Sequence, residues 1–443
     1  MPHFNPQRLA PDASPAALPV AARASRIACR LASRLALAVA AAAAAIAPLP
    51  ASAQAGPAAA VFTLAQAFDA AWQRQPEARS ADARRQAAEA QLSFAQRWTA
   101  EPMALELSAK GDRLTGNRGA REVEVGIAAP LWLPGEQRGA QAVAQAERGT
   151  VDSRIGAARW RLAGAVRDAW WAAQRAALET ALAQARLVNA QQLADDVVRH
   201  VKVGDLARSD QLQADGGVAA AHSALLEAQS AQAQSRQALR ALLGTEPAQA
   251  LVASAEPTTA RASRPAADHP GLRELADRAE LARRTRELTA LQTRANPELT
   301  VSAARDRGAF GEAYGRSLAV GIRIPFGSDD RQRSRLAAAA AELTEAESQL
   351  ELERSRIASD IAAAEFRVGA ARLVVDAADR RAALAVETRR IFEKSFRLGE
   401  TDLHTRLRVE LEAFEAERQR ERSHIDLAQA VSQWRQALGL LPE

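Results

Sequence analysis

Cysteine is all but absent from this chain: Cys29 is the only one in 443 residues. Aromatic side chains make up 4%, with a single tyrosine. A large globular core is therefore poorly supplied, whereas abundant alanine suits helices that approach closely. Proline occurs 19 times, yet it is missing between Pro134 and Pro247 and again between Pro325 and Pro442. Proline is expelled from helix interiors because it lacks a donor and its ring clashes with the preceding turn, so two very long helical stretches are expected. A basic block with interleaved aromatics is also lacking. Arg8, Arg23, Arg26, Arg30 and Arg34 stand against Asp12 alone in the first 53 residues and supply most of the net charge of +5. The remainder is close to neutral, which argues against nucleic acid as a partner. No G-x-S-x-G elbow, phosphate-cradling glycine loop or H-E-x-x-H is present, so neither an enzyme nor a cofactor is expected.

What the chain does have begins with an export signal at 1–53. Arg23 to Arg34 form a basic region, Leu35 to Ala47 a short apolar run, and Ala51-Ser52-Ala53 a small-residue cleavage site. The apolar run is shorter than the roughly 20 residues that a bilayer span needs. Cys29 precedes it and leaves with the leader, so the mature chain has no disulfide and no thiolate metal site.

The rest is written twice. Val125-Gly126-Ile127 followed by Pro130 returns as Val320-Gly321-Ile322 followed by Pro325, at an offset of 195 residues. Gln75-Pro76 returns as His269-Pro270, Pro102 as Pro297, and the stretch from Val203 as the stretch from Leu398. An offset that stays at 194 or 195 over such a length is the mark of a tandem duplication. Each copy reads helix, strand pair, very long helix, tight turn, long helix. The first repeat covers 62–244, with strands at about 104–113 and 122–133 and a helix turn at 203–206. A small, polar, proline-bearing linker follows at 245–268. The second repeat covers 269–440, with strands at about 298–307 and 316–324 and a helix turn at 398–401. Thr63 and Gln66 have capping-box spacing. Gly204 and Gly399 are suited to end helices in the left-handed conformation. Leu336, Leu343, Leu350, Ile357, Ala364, Ala371, Ala378, Ala385 and Phe392 recur every seven residues, a period that implies left-handed supercoiling.

The strands alternate. Leu105, Leu107 and Ala109, or Val123, Val125 and Ile127, share one face, and Glu, Lys and Ser the other. About ten residues of half-apolar strand suit a membrane-spanning barrel, and in lipid a sheet must close so that no edge is left unpaired. Four strands are too few to close, so copies of the chain have to share the barrel. The fold class expected is mainly α with a small antiparallel β part: a tandem-repeat α-helical barrel of long coiled-coil hairpins plus a shared transmembrane β-barrel with four strands per chain.

The duplicated V-G-I-x-x-P strand ends and Gly-centred helix turns closely resemble the outer membrane factors of Gram-negative efflux systems, the TolC-like channels. The turn is also similar to those of the cobalt–zinc–cadmium efflux branch. The resemblance runs from Phe62 nearly to the end of the chain. It implies a homotrimer in outer-membrane lipid with helices in the periplasm, acting as a passive exit duct. Its partners would be a periplasmic adaptor (membrane fusion) protein and an inner-membrane pump of the proton-driven resistance-nodulation-division type. The resemblance places adaptor contacts at Val203, Gly204, Asp205, Leu206, Leu398, Gly399, Glu400 and Thr401, and an acidic aperture at Asp210. The second repeat has Thr405 at the place of Asp210, so a ring drawn from both repeats is not expected. Trp132 and Phe326, at strand ends, suit a membrane-interface aromatic belt. His200 and His404 flank the turns without a second ligand at helical spacing, and no metal site is expected. Two other readings fit parts of the pattern: a soluble periplasmic coiled-coil adaptor or scaffold, and the exit channel of a type I protein secretion system.

Overall fold

The computed structural model describes residues 62–114, 116–245, 256–257, 268–327 and 329–443. The export signal with Cys29, and most of the 245–268 linker, lie outside the described residues. Thr63 opens the first helix: its Oγ1 accepts the Gln66 N–H at 3.3 Å, and Gln66 Oε1 accepts the Thr63 N–H at 3.1 Å. The elements that follow are α1 (Leu64–Arg74), α2 (Pro76–Ala95), β1 (Ala104–Gly111), β2 (Arg121–Pro130), α3 (Glu136–Val203), α4 (Arg208–Leu243), α5 (Pro270–Leu291), β3 (Glu298–Arg307), β4 (Gly315–Arg323), α6 (Asp329–Arg397) and α7 (Leu403–Ala437). The 68 and 69 residues of α3 and α6 make each about 100 Å long at 1.5 Å per residue. No described helix is long and apolar enough to cross a membrane.

The strands form one antiparallel sheet in the order β1-β2-β3-β4. β1 ends at Gly111, short of 113, because Asp112 turns the chain: its carboxylate accepts the N–H groups of Arg118 and Gly119 at 2.5 and 3.3 Å. β2 ends at Pro130, short of 133. The next partner in register is Pro297, which accepts the Leu131 N–H at 2.7 Å but has no N–H to return, and the buried Glu136 takes the Leu133 N–H at 2.9 Å. Glu136 also accepts from Gln292 at 2.8 Å and Asn296 at 2.9 Å, which locks the start of α3 to the α5–β3 connection.

Away from the sheet, α4 packs on α3, α3 on α7 and α7 on α6; nearer the sheet, α2 and α5 pack on α3, and α6 on α5. The outer sides are thus β1, α2 and α4 on one flank and β4 and α6 on the other. All nine heptad positions from Leu336 to Phe392 are buried or half-buried, so the seven-residue repeat is the seam along which α6 packs.

The main apolar core lies at mid-height, where Leu64, Phe68, Trp170, Trp171, Leu239 and Leu243 meet. The repeat is visible here in two glycines. A Cβ on Gly244 would overlap the Arg74 guanidinium, and one on Gly439 would approach Pro270 Cδ to 2.5 Å, so in both copies the last helix ends hard against an earlier helix junction. Beside this core sits a buried ion cluster. Arg167 grips Glu256 with two bonds of 3.0 and 2.8 Å, and Arg435 reaches the same carboxylate at 3.2 Å. Ser432 donates to it as well. Glu256 therefore ties the segment between the repeats to α3 and α7 at once.

Removing one partner of such a cluster leaves buried charge uncompensated, which costs about 3–5 kcal/mol. Glu256→Ala is expected to lower the melting temperature by several degrees in circular dichroism, whereas a change at the exposed Glu345 should leave it unmoved.

Candidate functional sites on the sheet and at the helix tips

The pairing register shows what the sheet presents. Leu105 faces Ile127, and Ile127 faces Val301, which faces Val320; Leu107, Val125, Ala303 and Leu318 form the next row. Alternation places these rows on one face, and they are exposed: Leu107 by 71% and Leu318 by 74%. The opposite face carries Glu106, Glu122, Glu124, Glu298 and Asp306, all five carboxylates of the strands, with Lys110 and Arg323. Gly126 and Gly321, the centres of the duplicated phrase, lie on this polar face. A Cβ there would come within 3.1 Å of Ser302 Cβ or 2.9 Å of Thr300 Oγ1. The phrase recurs because each repeat sends a glycine-bearing strand alongside β3.

At the far end of the helices both turns are built alike. Gly204 and Gly399 have φ of 88° and 74°. The N–H groups of Gly204 and Asp205 bond back to Val201 and His200 at 3.2 and 2.9 Å; those of Gly399 and Glu400 bond to Phe396 and Ser395, each at 3.0 Å. Open space surrounds the Cβ position of both glycines, so the requirement is conformational and not steric. Val203 and Leu398 are exposed, whereas Leu206 and Thr401 are half-buried. The two tips are joined: Val197, Val201, Leu206 and Ala214 of the first hairpin cluster with Phe396, Leu403 and Leu407 of the second.

Asp210 is half-buried in the first turn of α4, and its Oδ2 accepts the Ala207 N–H at 3.0 Å. In the second repeat the capping carboxylate has moved three residues back, where Asp402 Oδ2 accepts the Thr405 N–H at 3.2 Å. Hydrogen bonds from the Thr405 side chain and then its N–H hold the Asp402 carboxyl below its ordinary value. The exchange of Asp210 for Thr405 is therefore a change of capping scheme. Next to the tips lies a polar cleft of about 710 Å³ between α3 and the second hairpin. Asp195, Asp196 and Arg199 face Arg389, Glu393 and Arg397 across it. His200 Nδ1 lies 3.2 Å from Asp205, and His404 Nδ1 lies 3.5 Å from Gln213. Among the described residues no three metal-ligating side chains converge.

The aromatics differ from one another. Trp132 donates to Arg97 O at 2.9 Å and packs with Phe94 and Ala140 around one hollow. Phe326 is 92% exposed. Sequence inspection passed over Glu136, Glu256, the Asp402 cap and the cleft charges. The capping Asp402 was readable from its position before a helix; the others meet their partners only in three dimensions.

Residues 67–245 match the family model of outer membrane efflux proteins. No curated protein matches the chain in sequence. Among solved structures, the outer membrane protein VceC from Vibrio cholerae superposes with a TM-score of 0.68 at 18% identity, covering 86% of this chain and 97% of that one. The MtrE outer membrane channel of Neisseria gonorrhoeae, in its open state, gives 0.67 at 17% identity, covering 85% and 89%. The CmeC outer membrane channel of Campylobacter jejuni gives 0.66 at 13% identity, covering 85% of each chain. At such identities the likeness is one of fold. The first repeat thus carries the signature of outer membrane efflux proteins, and the fold across both repeats is similar to that of the VceC and MtrE channels.

Two predictions concern the turns. Any side chain at Gly204 or Gly399 must adopt the left-handed region at a cost of about 1–2 kcal/mol, so Gly399→Ala should speed amide exchange in the last turn of α6. The lowered Asp402 value means that its capping contribution is complete above the ordinary value of 3.8 and is lost as pH falls through the depressed one. Exchange in the first turn of α7 should rise only in that acid range, and Asp402→Ala should abolish the dependence.

Proposed function

We propose that the chain is the outer-membrane exit duct of a tripartite efflux system, functioning as a homotrimer. The observation that carries this reading is the sheet: four strands, one exposed apolar face, and unpaired backbone along β1 and β4. In lipid each unpaired backbone group costs several kcal/mol, so the sheet has to close on other copies. Three chains give twelve strands, within the range of known barrels. The helices supply matching flanks. On α6, Leu352, Phe366, Leu373, Leu384 and Ile391 form an exposed stripe facing away from its buried seam. On α4, Leu212 and Leu226 alternate with exposed small residues such as Gly216, Gly217, Ala219 and Ser223, which admit large side chains from a neighbour. Joining the α6 flank of one copy to the α4 flank of the next is a heterologous contact, which closes into a ring.

The apolar sheet face then meets lipid, and the carboxylate-bearing face lines the lumen. Trp132 and Phe326 sit at the interface on the periplasmic side. The helical hairpins project into the periplasm, and their tips (Val203 to Leu206 and Leu398 to Thr401) receive the adaptor protein with the neighbouring polar cleft. A resistance-nodulation-division pump provides the energy. Gating is a separation of the two tips, which breaks the apolar cluster around Phe396. Asp210 adds one carboxylate per protomer near the aperture.

After a high-salt wash the protein should remain with outer membranes, and sedimentation in detergent should give a trimer; a water-soluble monomer would sink the reading. In planar bilayers Phe396→Ala should raise the conductance of the trimer several-fold. Unchanged conductance would remove the tips as the constriction. Asp210→Asn should weaken any preference for cations.

A further inference from the structure

The apolar face of the sheet is not apolar to its end. Four arginines lie on it, all at the rim away from the helices: Arg121 on β2, Arg305 and Arg307 on β3, and Arg316 on β4. Arg121 stands directly opposite Arg307, and Arg305 directly opposite Arg316. Like charges directly opposite one another across strands are destabilising, and here two such pairs are adjacent. This face carries no carboxylate, because all five strand carboxylates lie on the other. Acids nearby are engaged elsewhere: Asp112 with the Arg118 and Gly119 N–H groups, Glu312 with those of Gly308 and Ala309, and Glu122 with Lys110. Among the described residues none of the four arginines has an ion-pair partner. The two on β3 are nonetheless held in place. Arg305 lies 4.3 Å and Arg307 5.0 Å from the Tyr314 ring centroid, and Arg307 Nε donates to Gly119 O at 3.0 Å.

From Leu299 to Arg305 the strand covers about 20 Å at 3.4 Å per residue, close to the height of the apolar band of a membrane barrel, about 25 Å. The arginines therefore stand at headgroup level of the leaflet opposite the periplasm. We propose that this rim is a binding site for the phosphate groups of anionic lipid headgroups, each trimer presenting three arginine quartets to the surrounding leaflet. Planar guanidinium groups suit bidentate phosphate contacts, and the quartet lacks a counter-charge only as long as no lipid is present. The proposal rests on the membrane reading given above.

The test uses the purified full-length protein in neutral detergent, titrated with a diphosphorylated glycolipid (lipid A) and with the same glycolipid stripped of phosphate. The phosphorylated form should bind and the stripped form should not, with affinity falling as salt rises. Arg305→Gln/Arg316→Gln should weaken binding about 25-fold, at roughly fivefold per arginine near an anionic surface. Arg316→Gln alone, a side chain with no ring contact, should weaken it about fivefold. A folded trimer that binds both glycolipids equally, or whose double variant binds as tightly as the parent, overturns the rim site alone. So does competition by equimolar inorganic phosphate. A chain that stays out of detergent as a monomer overturns the membrane reading and the rim site with it.

Discussion

Everything in this molecule is organised around a four-stranded sheet that is left unfinished. One of its faces is oily and exposed, and among the described residues β1 and β4 each leave an edge without a partner strand. The rows Leu105–Ile127–Val301–Val320 and Leu107–Val125–Ala303–Leu318 suit hydrocarbon, and the edge groups suit another strand. The helical part is arranged consistently with this. α6 follows β4 and runs down one flank, while α2 and α4 follow the β1 flank, so sheet and helices present their unfinished surfaces on the same two sides.

Between sheet and tips, the mid-height core makes one body out of two repeats. Arg167, Arg435 and Ser432 converge on Glu256, a residue from outside either repeat. Gly439 lets the second repeat end pack closer to Pro270 than a side chain would permit, and at Gly244 the space is taken by the Arg74 guanidinium. The cluster fixes α3 beside α7, and the two hairpins are joined further by Arg175 on Asp426, by Arg418 and Arg422 on Glu179, and by the apolar cluster around Phe396.

The class of fold was legible in the sequence because its signals were periodic. Missing proline marked α3 and α6, the seven-residue repeat marked the α6 seam, and alternation marked the two faces of every strand. The near-constant offset tied the halves together. Legibility failed where one side chain answers another far away. Glu136 needs Gln292 and Asn296, Glu256 needs residues from two different helices, and β2 stops at Pro130 because its next partner, Pro297, has no N–H to give. At the tips the sequence marked the glycines, but it gave Asp210 and Thr405 the look of a gained or lost charge. The structure shows a cap that changed place, from the third residue of α4 to the residue before α7. The arginine rim was countable from strand parity, but only the register reveals that its members stand opposite one another.

The pairing of β2 with β3 has a consequence for how the protein is made. Arg121 meets Arg307 and Pro130 meets Glu298, so the ladder joins segments more than 160 residues apart, and this is the slow, non-local kind of contact. Until the second half has emerged, the first hairpin exposes β2 as a sticky edge, for on the order of ten seconds at ordinary rates of synthesis. A half-made chain is thus an aggregation hazard, and a factor that shields the β2 edge would matter most during that interval.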